Sequence, residues 1–287
     1  MKHICLDGVS LTRDQLVMIA NGATVELDDG ALEKVARAAG FLAEQVRREE
    51  PIYGVSTGFG SNADKLLGAH PLRDELPGAR ASGRSLHAEL QQNLILTHAV
   101  CVGEPMAPEV VRAMLCIRIN TLLKGHSGIR VETLQALTAL LNAGIVPVVP
   151  ELGSVGASGD LAPLSHLAIV LLGGGEAFFE GERMPGAEAL RRAGLAPVEL
   201  SYKEGLALNN GTAQMLAMGV LALDRLERLL DTADLAAAMT IDAFAGRLGA
   251  FDEQVHALRP PPGQVEVAGR LRTLLDGSTP ADIPYHL

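Results

Sequence analysis

The segment from Gly153 to Asp160 contains residues that could form an electrophile from the backbone alone. Its centre is Ala157-Ser158-Gly159. Gly159 has no side chain, so its amide nitrogen can approach the carbonyl carbon of Ala157 closely. Attack there would close a five-membered ring, and loss of water together with the hydroxyl of Ser158 would leave an exocyclic methylidene. The segment alone favours a plainer interpretation, a turn capped by Ser158 or Asp160 ahead of a helix.

A second segment with chemical potential is YGVSTGFG at 53–60. Tyr53 lies among Gly, Ser and Thr and is therefore not placed as a core aromatic residue. Its phenol could act as an acid or a base if a cation or a dipole moved its pKa from about 10 toward neutrality. Taken alone, an ordinary loop tyrosine is the more common interpretation.

Hydrophobic periodicity indicates which elements position these two loops. It predicts helices over 13–20 and 30–49, two or three helices within 84–144, a helix from near Asp160 to Leu172, and a helix over 264–276. Two prolines make 145–150 extended, and a hairpin follows Leu172. From Lys203 to about Leu248 the pattern predicts two long bundle helices.

Composition narrows the class of protein. The chain has 287 residues, of which 48% are apolar and only 3% aromatic, with no Trp, so the core must be aliphatic and packed helices are favoured. The net charge of −10 comes without a basic cluster, which disfavours nucleic-acid binding. No segment approaches about 18 uninterrupted apolar residues, so no membrane partner is expected.

Cysteine usage and the N-terminal sequence predict the compartment. The cysteines Cys5, Cys101 and Cys116 are odd in number and lack metal-binding spacing, so we expect reduced thiols, no disulfide and no metal site. The first residues lack the apolar core of a signal peptide. Both features indicate a cytoplasmic protein.

Five segments in a fixed order carry a family resemblance: YGVSTGFG near 53, LQQNLILTHAV at 90–100, RINTLLKGHSGIR at 118–130, GSVGASGDLAPLSHLA at 153–168 and KEGLALNNGTA at 203–213. Together they make the chain resemble the histidine and phenylalanine ammonia-lyase family, whose prosthetic group is 4-methylidene-imidazole-5-one (MIO). The resemblance covers nearly all of 1–287 and corresponds to the N-terminal half of family members.

The resemblance implies the roles of the first loop residues. MIO would form autocatalytically from Ala157, Ser158 and Gly159, with Asp160 assisting the cyclisation. Tyr53 would be the catalytic base that removes the β-proton of the amino acid. Ammonia would then leave, giving an α,β-unsaturated acid without a metal or a diffusible cofactor.

The resemblance also implies a substrate pocket. Asn210 would lie beside MIO, Gly60 and Leu206 would line the pocket, and His98 would hydrogen-bond a substrate imidazole. Thr97-His98 is similar to the histidine-type pair, although a structural helix histidine is an equal alternative.

Three features differ from a plain histidine enzyme: GSNADKLL at 60–67, Ala213 where Gln is usual, and Cys101 where Gly is common. The substrate therefore stays open among aromatic L-amino acids, with histidine favoured. We interpret His126 and His166 as structural, and Arg118 and Arg130 as internal ion-pair partners.

The implied fold is the mainly α ammonia-lyase (fumarase/aspartase-like) fold, truncated relative to the family. Residues 1–200 would form a mixed N-terminal MIO-bearing domain, and 201–287 would begin the central helical bundle. The family forms oligomers in which Tyr53 and Ser158 of one pocket come from different copies. We therefore expect a homo-oligomer, a second polypeptide that supplies the C-terminal half, or both.

Three interpretations of the chain follow. We favour one subunit of a split ammonia-lyase, because the residues that form and surround MIO occur together. A subunit of an MIO-dependent 2,3-aminomutase differs only in whether ammonia re-adds at the β-carbon. The third interpretation is a relative without catalytic activity, which would be either a partner-binding protein or a stand-alone helical scaffold.

Overall fold

A computed structural model describes residues 3–48, 52, 54–55, 86–156 and 159–278. The helices are α1 (Arg13–Ala20), α2 (Asp29–Arg47), α3 (Leu86–His98), α4 (Pro108–Leu122), α5 (Val131–Asn142), α6 (Leu161–Leu171), α7 (Gly186–Arg192), α8 (Glu204–Asn209), α9 (Ala213–Ala243), α10 (Glu253–Ala257) and α11 (Pro262–Leu274). The strands are β1 (His3–Leu6), β2 (Thr24–Leu27), β3 (Val102–Pro105), β4 (Val146–Pro147), β5 (Pro150–Leu152), β6 (Glu176–Phe179) and β7 (Glu182–Pro185).

The described strands are short and form three small sheets between the helices. β1 and β2 pair in parallel on either side of α1, while β3 pairs antiparallel with β5. β4, β6 and β7 form an antiparallel sheet in which β6 and β7 are the predicted hairpin. The β3–β5 pair leads directly into the loop that begins at Gly153 and ends at Asp160.

Helix α4 passes through the centre of the core. Every residue from Val111 to Ile119 is buried, as expected for a helix enclosed on all sides. The buried cluster around it is almost wholly aliphatic, which confirms the core composition that the sequence predicts. Two of the enclosed side chains are charged, Arg112 and Arg118.

The segment after residue 202 differs from the predicted pair of long helices. A left-handed residue, Lys203, precedes the six-residue helix α8, which ends at Asn209. After a break of three residues, α9 runs without interruption for 31 residues. The prediction of two long helices was wrong because the break comes after less than two turns, so one helix carries nearly all of the apolar pattern.

The chain divides into two compact units, Met1–Leu221 and Ala222–Leu287. The first unit contains the large aliphatic core and the loop at 153–160. In the second, Ala238, Leu271 and Leu275 form a small buried cluster. The predicted functional domains, 1–200 and 201–287, are not tested by this division and stay a prediction.

One stretch of the described residues, Glu204–Ala243, is long and apolar enough to cross a membrane by length and composition. It includes the break between α8 and α9, and 39% of its most apolar window is buried within the protein. Core helices have the same composition, so this is weak evidence for a membrane span.

Candidate active site

The side chain of Asp160 is fixed by hydrogen bonds within the candidate site. It is fully buried, and its carboxylate accepts three hydrogen bonds. Oδ1 accepts from Oγ of Ser154 at 2.8 Å, and Oδ2 accepts from the amides of Gln214 at 2.8 Å and Met215 at 3.1 Å. Those amides are in the first turn of α9, where free N–H groups and the helix dipole favour an anion. Asp160 therefore caps α9, although it stands at the N-cap of α6 and makes no side-chain bond there.

Gly159 is held against the break between α8 and α9. Its φ of +92° is the left-handed region that favours glycine. A Cβ at this position would overlap the carbonyl oxygen of Gly211, and that same oxygen accepts the amide of Asp160 at 2.6 Å. No other residue fits at position 159, so the sequence requirement for glycine is both conformational and steric.

Arg118 lies on the other side of Gly211. A Cβ at Gly211 would overlap Nη1 of Arg118, and Nη2 donates to the carbonyl oxygen of Ala207 in α8. Burial lowers the pKa of Arg118 to about 10. The described residues provide no carboxylate partner for it, so the predicted ion pair of Arg118 was wrong.

The predicted ion pair of Arg130 is confirmed, and its partner is Glu204 at the start of α8. The carboxylate of Glu204 is fully buried and accepts from the backbone amide, Nε and Nη2 of Arg130. Thr133 and the amide of Ser201 donate to it as well. This network anchors α8, whose far end leads into the Gly211 turn.

Three of the predicted pocket residues, His98, Leu206 and Asn210, lie in or next to α3 and α8. His98 is the last residue of α3, where its Nδ1 lies 2.8 Å from the carbonyl oxygen of Leu94. Leu206 is half-buried, and Asn210 follows α8 with its amide bonded to the carbonyl of Leu206 at 3.0 Å and its side chain exposed. Tyr53, Gly60, Ala157 and Ser158 lie outside the described residues.

His166 has a structural contact beside the loop. On α6, its Nε2 accepts the amide of Cys101 at 3.1 Å, and burial lowers its pKa. Burial also raises the pKa of the Cys101 thiol to about 11. The Sγ of Cys101 occupies the space that a Cβ at Gly153 would need. This packing fixes the start of the loop, in agreement with a structural role for His166.

Four buried polar atoms lack a hydrogen-bond partner among the described residues: Nε2 of Gln91, Nε of Arg118, Oδ1 of Asn209 and Oε1 of Gln214. Asn209 and Gln214 lie within the segment 204–214. The other two residues are bonded to it, because Gln91 accepts the amide of Gly205 at 2.9 Å and Arg118 donates to the carbonyl of Ala207. Sequence reasoning missed Ser154, Gln214 and this group of atoms. The position beside MIO that the resemblance implies for Asn210 was the signal that this segment would meet the loop.

Comparisons with known proteins identify the family. The model of the family described as aromatic amino acid lyase matches residues 11–285, and the chain therefore belongs to that family. The histidine ammonia-lyase of Symbiobacterium thermophilum is 48% identical over 272 residues, covering 94% of this chain and 51% of that protein.

Two solved structures show the fold. The histidine ammonia-lyase of Trypanosoma cruzi matches with a TM-score of 0.82 at 39% identity, covering 94% of this chain and 50% of that one. The phenylalanine aminomutase of Pantoea agglomerans matches with a TM-score of 0.84 at 35% identity, covering 96% and 50%. The mainly α ammonia-lyase fold is confirmed, and the chain spans about half the length of these relatives.

Proposed function

We propose that the chain carries the electrophile-forming half of an ammonia-lyase that converts an aromatic L-amino acid into an α,β-unsaturated acid. Histidine is the favoured substrate, because the curated relatives named above are histidine ammonia-lyases. The observation that carries the proposal is the position of Gly159 and Asp160. A glycine that no other residue can replace follows Ala157-Ser158, and a buried carboxylate with three donors follows it directly.

These residues fit the formation of MIO. Gly159 has no Cβ, and its neighbour Gly211 fixes the backbone from which its nitrogen would attack. The carboxylate of Asp160 ties the end of the loop to α9 and to Ser154. Once formed, MIO supplies an electrophilic carbon that makes the amino group of the substrate a better leaving group.

The other residues would bind the substrate and move its proton. We propose Tyr53 as the base that removes the β-proton, with Gly60, Leu206 and Asn210 along the pocket. The Nδ1 of His98 is directed at the carbonyl of Leu94, so Nε2 is the ring atom proposed to meet a substrate imidazole.

The mass of the intact protein tests whether the electrophile forms. The purified chain should be lighter than its sequence by two waters, and Ser158→Ala should restore the full mass. Full mass in the wild type would overturn the proposal for this chain and leave a catalytically inactive relative.

We further propose that the catalytic unit is completed by a second polypeptide and by further copies of this chain. Support for an assembly comes from α9, which exposes a series of leucines and methionines that an interface would cover. In the oligomer, Tyr53 and Ser158 of one pocket would come from different copies. We expect this assembly to be cytoplasmic and to bind neither nucleic acid nor membranes.

Activity assays address the assembly and the reaction type. The chain should be incubated with L-histidine or L-phenylalanine, alone and with a polypeptide corresponding to the C-terminal half of the Symbiobacterium relative. Release of ammonia and of the unsaturated acid only in the mixture is expected; equal activity of the chain alone would contradict the split enzyme. A β-amino acid product would favour the aminomutase, which the likeness to the Pantoea structure keeps as the second candidate.

A further inference from the structure

Helix α4 carries two buried arginines that differ in how well their guanidinium groups are satisfied. Arg112 donates from Nε, Nη1 and Nη2 to the carbonyl oxygens of Ile19, Leu141 and Ala23, at 3.0, 3.1 and 3.1 Å. These contacts join α4 to the N-terminal elements and to α5. Arg112 is thus a structural tie that uses all three of its nitrogens.

Arg118 is as deeply buried but poorly satisfied. Its one described hydrogen bond is to the carbonyl of Ala207, and its Nε has no partner among the described residues. A buried charge without a carboxylate is expensive, and each unpaired buried donor adds to that cost. Arg112 offsets this cost by using all three of its nitrogens, whereas Arg118 does not, so the poorly satisfied charge of Arg118 requires an explanation.

The surroundings of Arg118 point toward the electrophile-forming loop. Gly211 contacts Nη1 of Arg118 on one side, and on the other its carbonyl oxygen lies against Gly159 and accepts the amide of Asp160. A single residue, Gly211, therefore lies between the guanidinium of Arg118 and the Gly159-Asp160 peptide. In a buried site with little water, a charge so close to a peptide group interacts strongly with it.

We infer that Arg118 is a positioning residue for the formation of the electrophile. It fixes the 207–211 turn on which Gly159 rests, and it supplies a positive charge that no described carboxylate neutralises directly. The inference rests on the proposed function, because it concerns the cyclisation of Ala157-Ser158-Gly159.

The chemistry shows where the charge is needed. The nitrogen of Gly159 bonds to the carbonyl carbon of Ala157, and negative charge develops on the carbonyl oxygen before it takes up the proton from Gly159. That oxygen leaves as water with the amide proton of Ser158, forming a C=N bond. The hydroxyl of Ser158 leaves with its Cα proton as the second water, forming the methylidene. A fixed positive charge close to the Gly159-Asp160 peptide would favour the negative charge that develops in the first step and so lower its barrier.

Arg118→Lys and Arg112→Lys form a matched pair, because both change a buried arginine of α4 that bonds to backbone carbonyls. The chain would be made by cell-free synthesis, and its intact mass followed over time for the loss of two waters. We expect Arg118→Lys to slow this loss about tenfold or more. Arg112→Lys should lower the stability of the fold and leave the rate of the loss close to that of the wild type.

A pH profile separates the charge from a merely structural role. Burial lowers the pKa of a lysine by up to several units, so the introduced ammonium should lose its proton within the range of about pH 6 to 9. In Arg118→Lys, water loss should therefore slow, relative to the wild type, as the pH rises through this range. Arg118→Gln, which keeps donors but has no charge, should be slow throughout.

Each outcome has a separate meaning. If the wild type does not lose two waters, the proposed function fails and this inference fails with it. If the wild type loses them and Arg118→Gln does so at the same rate, the inference alone is overturned. Should Arg118→Lys not fold, the rate in Arg118→Gln still decides, and equal slowing in Arg112→Lys would also overturn the inference.

Discussion

Asp160 binds two elements with one carboxylate. One oxygen accepts the hydroxyl of Ser154, and the other accepts the amides of Gln214 and Met215 in the first turn of α9. A charged acceptor bound by three donors is stronger than a neutral one, and the helix dipole adds to it. The same residue thus fixes the end of the candidate MIO loop and stabilises the start of a 31-residue helix.

Replacing Asp160 by Asn should affect both roles. The amide keeps the shape but loses the charge, so we expect a loss of about 1 to 2 kcal/mol in the free energy of unfolding. We also expect most of the chain to keep its full mass, because the loop is no longer held. Urea unfolding and intact-mass measurement on the same preparation would report the two effects.

Asp28→Asn is the matched control. Asp28 caps α2 by accepting the amide of Ala31 at 2.8 Å, far along the chain from the loop. Since Asn caps a helix about as well as Asp, this variant should lose little stability and should leave the loss of two waters intact. A normal mass deficit in Asp160→Asn would show that the carboxylate acts only as a helix cap.

At the scale of elements, α8 depends on a buried carboxylate. Glu204 is 0% exposed, while its partner Arg130 is 41% exposed. Arg130→Met would leave the carboxylate with Thr133 and the backbone amides of residues 130 and 201 as donors, but without a compensating charge. Removing one partner of a buried pair costs about 3 to 5 kcal/mol, and the partial exposure of Arg130 places the expected loss toward the lower value.

The hairpin of β6 and β7 offers the comparison. Arg183 and Glu176 form an ion pair at 2.5 Å with both side chains about half exposed. Arg183→Met should lower the free energy of unfolding much less than Arg130→Met, because exposed pairs contribute little. Urea unfolding of both variants tests the contrast, and equal losses would mean that the burial of Glu204 does not set the strength of its pair.

The elements also show what could be predicted from the sequence. Helix α1, the β6–β7 hairpin and the loop around Gly159 follow from local patterns, and the structure confirms the two elements and their positions. The partner of Arg118 and the capping of α9 by Asp160 could not be predicted. Both depend on residues about 50 to 90 positions away in the chain meeting at the Gly211 turn, which no local spacing encodes.

At the scale of the whole molecule, His166 links stability to pH. Burial lowers its pKa below the value of 6.5 expected in the unfolded chain. Between the two values the unfolded chain binds more protons than the folded one, so stability rises with pH across that window. The contribution of His166 is present above about pH 6.5 and is lost as the pH falls below it, at up to about 1.4 kcal/mol for each pH unit.

His166→Gln tests this link, since the amide oxygen of Gln can accept the Cys101 amide without titrating. Urea midpoints of variant and wild type would be compared at about pH 7.5 and pH 5.5. The fall in stability on acidification should be smaller in the variant. An identical fall in both proteins would assign the pH dependence to other groups.

The exposed apolar side of α9 provides a test of the proposed assembly. Leu229 is 63% exposed and Leu230 55%, within a series that continues on both sides along the helix. Apolar surface of this kind favours association, because covering it removes it from water.

The double variant Leu229→Glu/Leu230→Glu should therefore reduce the oligomeric state of the chain in sedimentation equilibrium, with the helical circular dichroism signal unchanged. Val9→Glu, at an exposed apolar position in the first unit, should leave the oligomeric state as it is. If the double variant associates like the wild type, this part of α9 does not form the interface, and the proposed shared pocket would need a different contact surface.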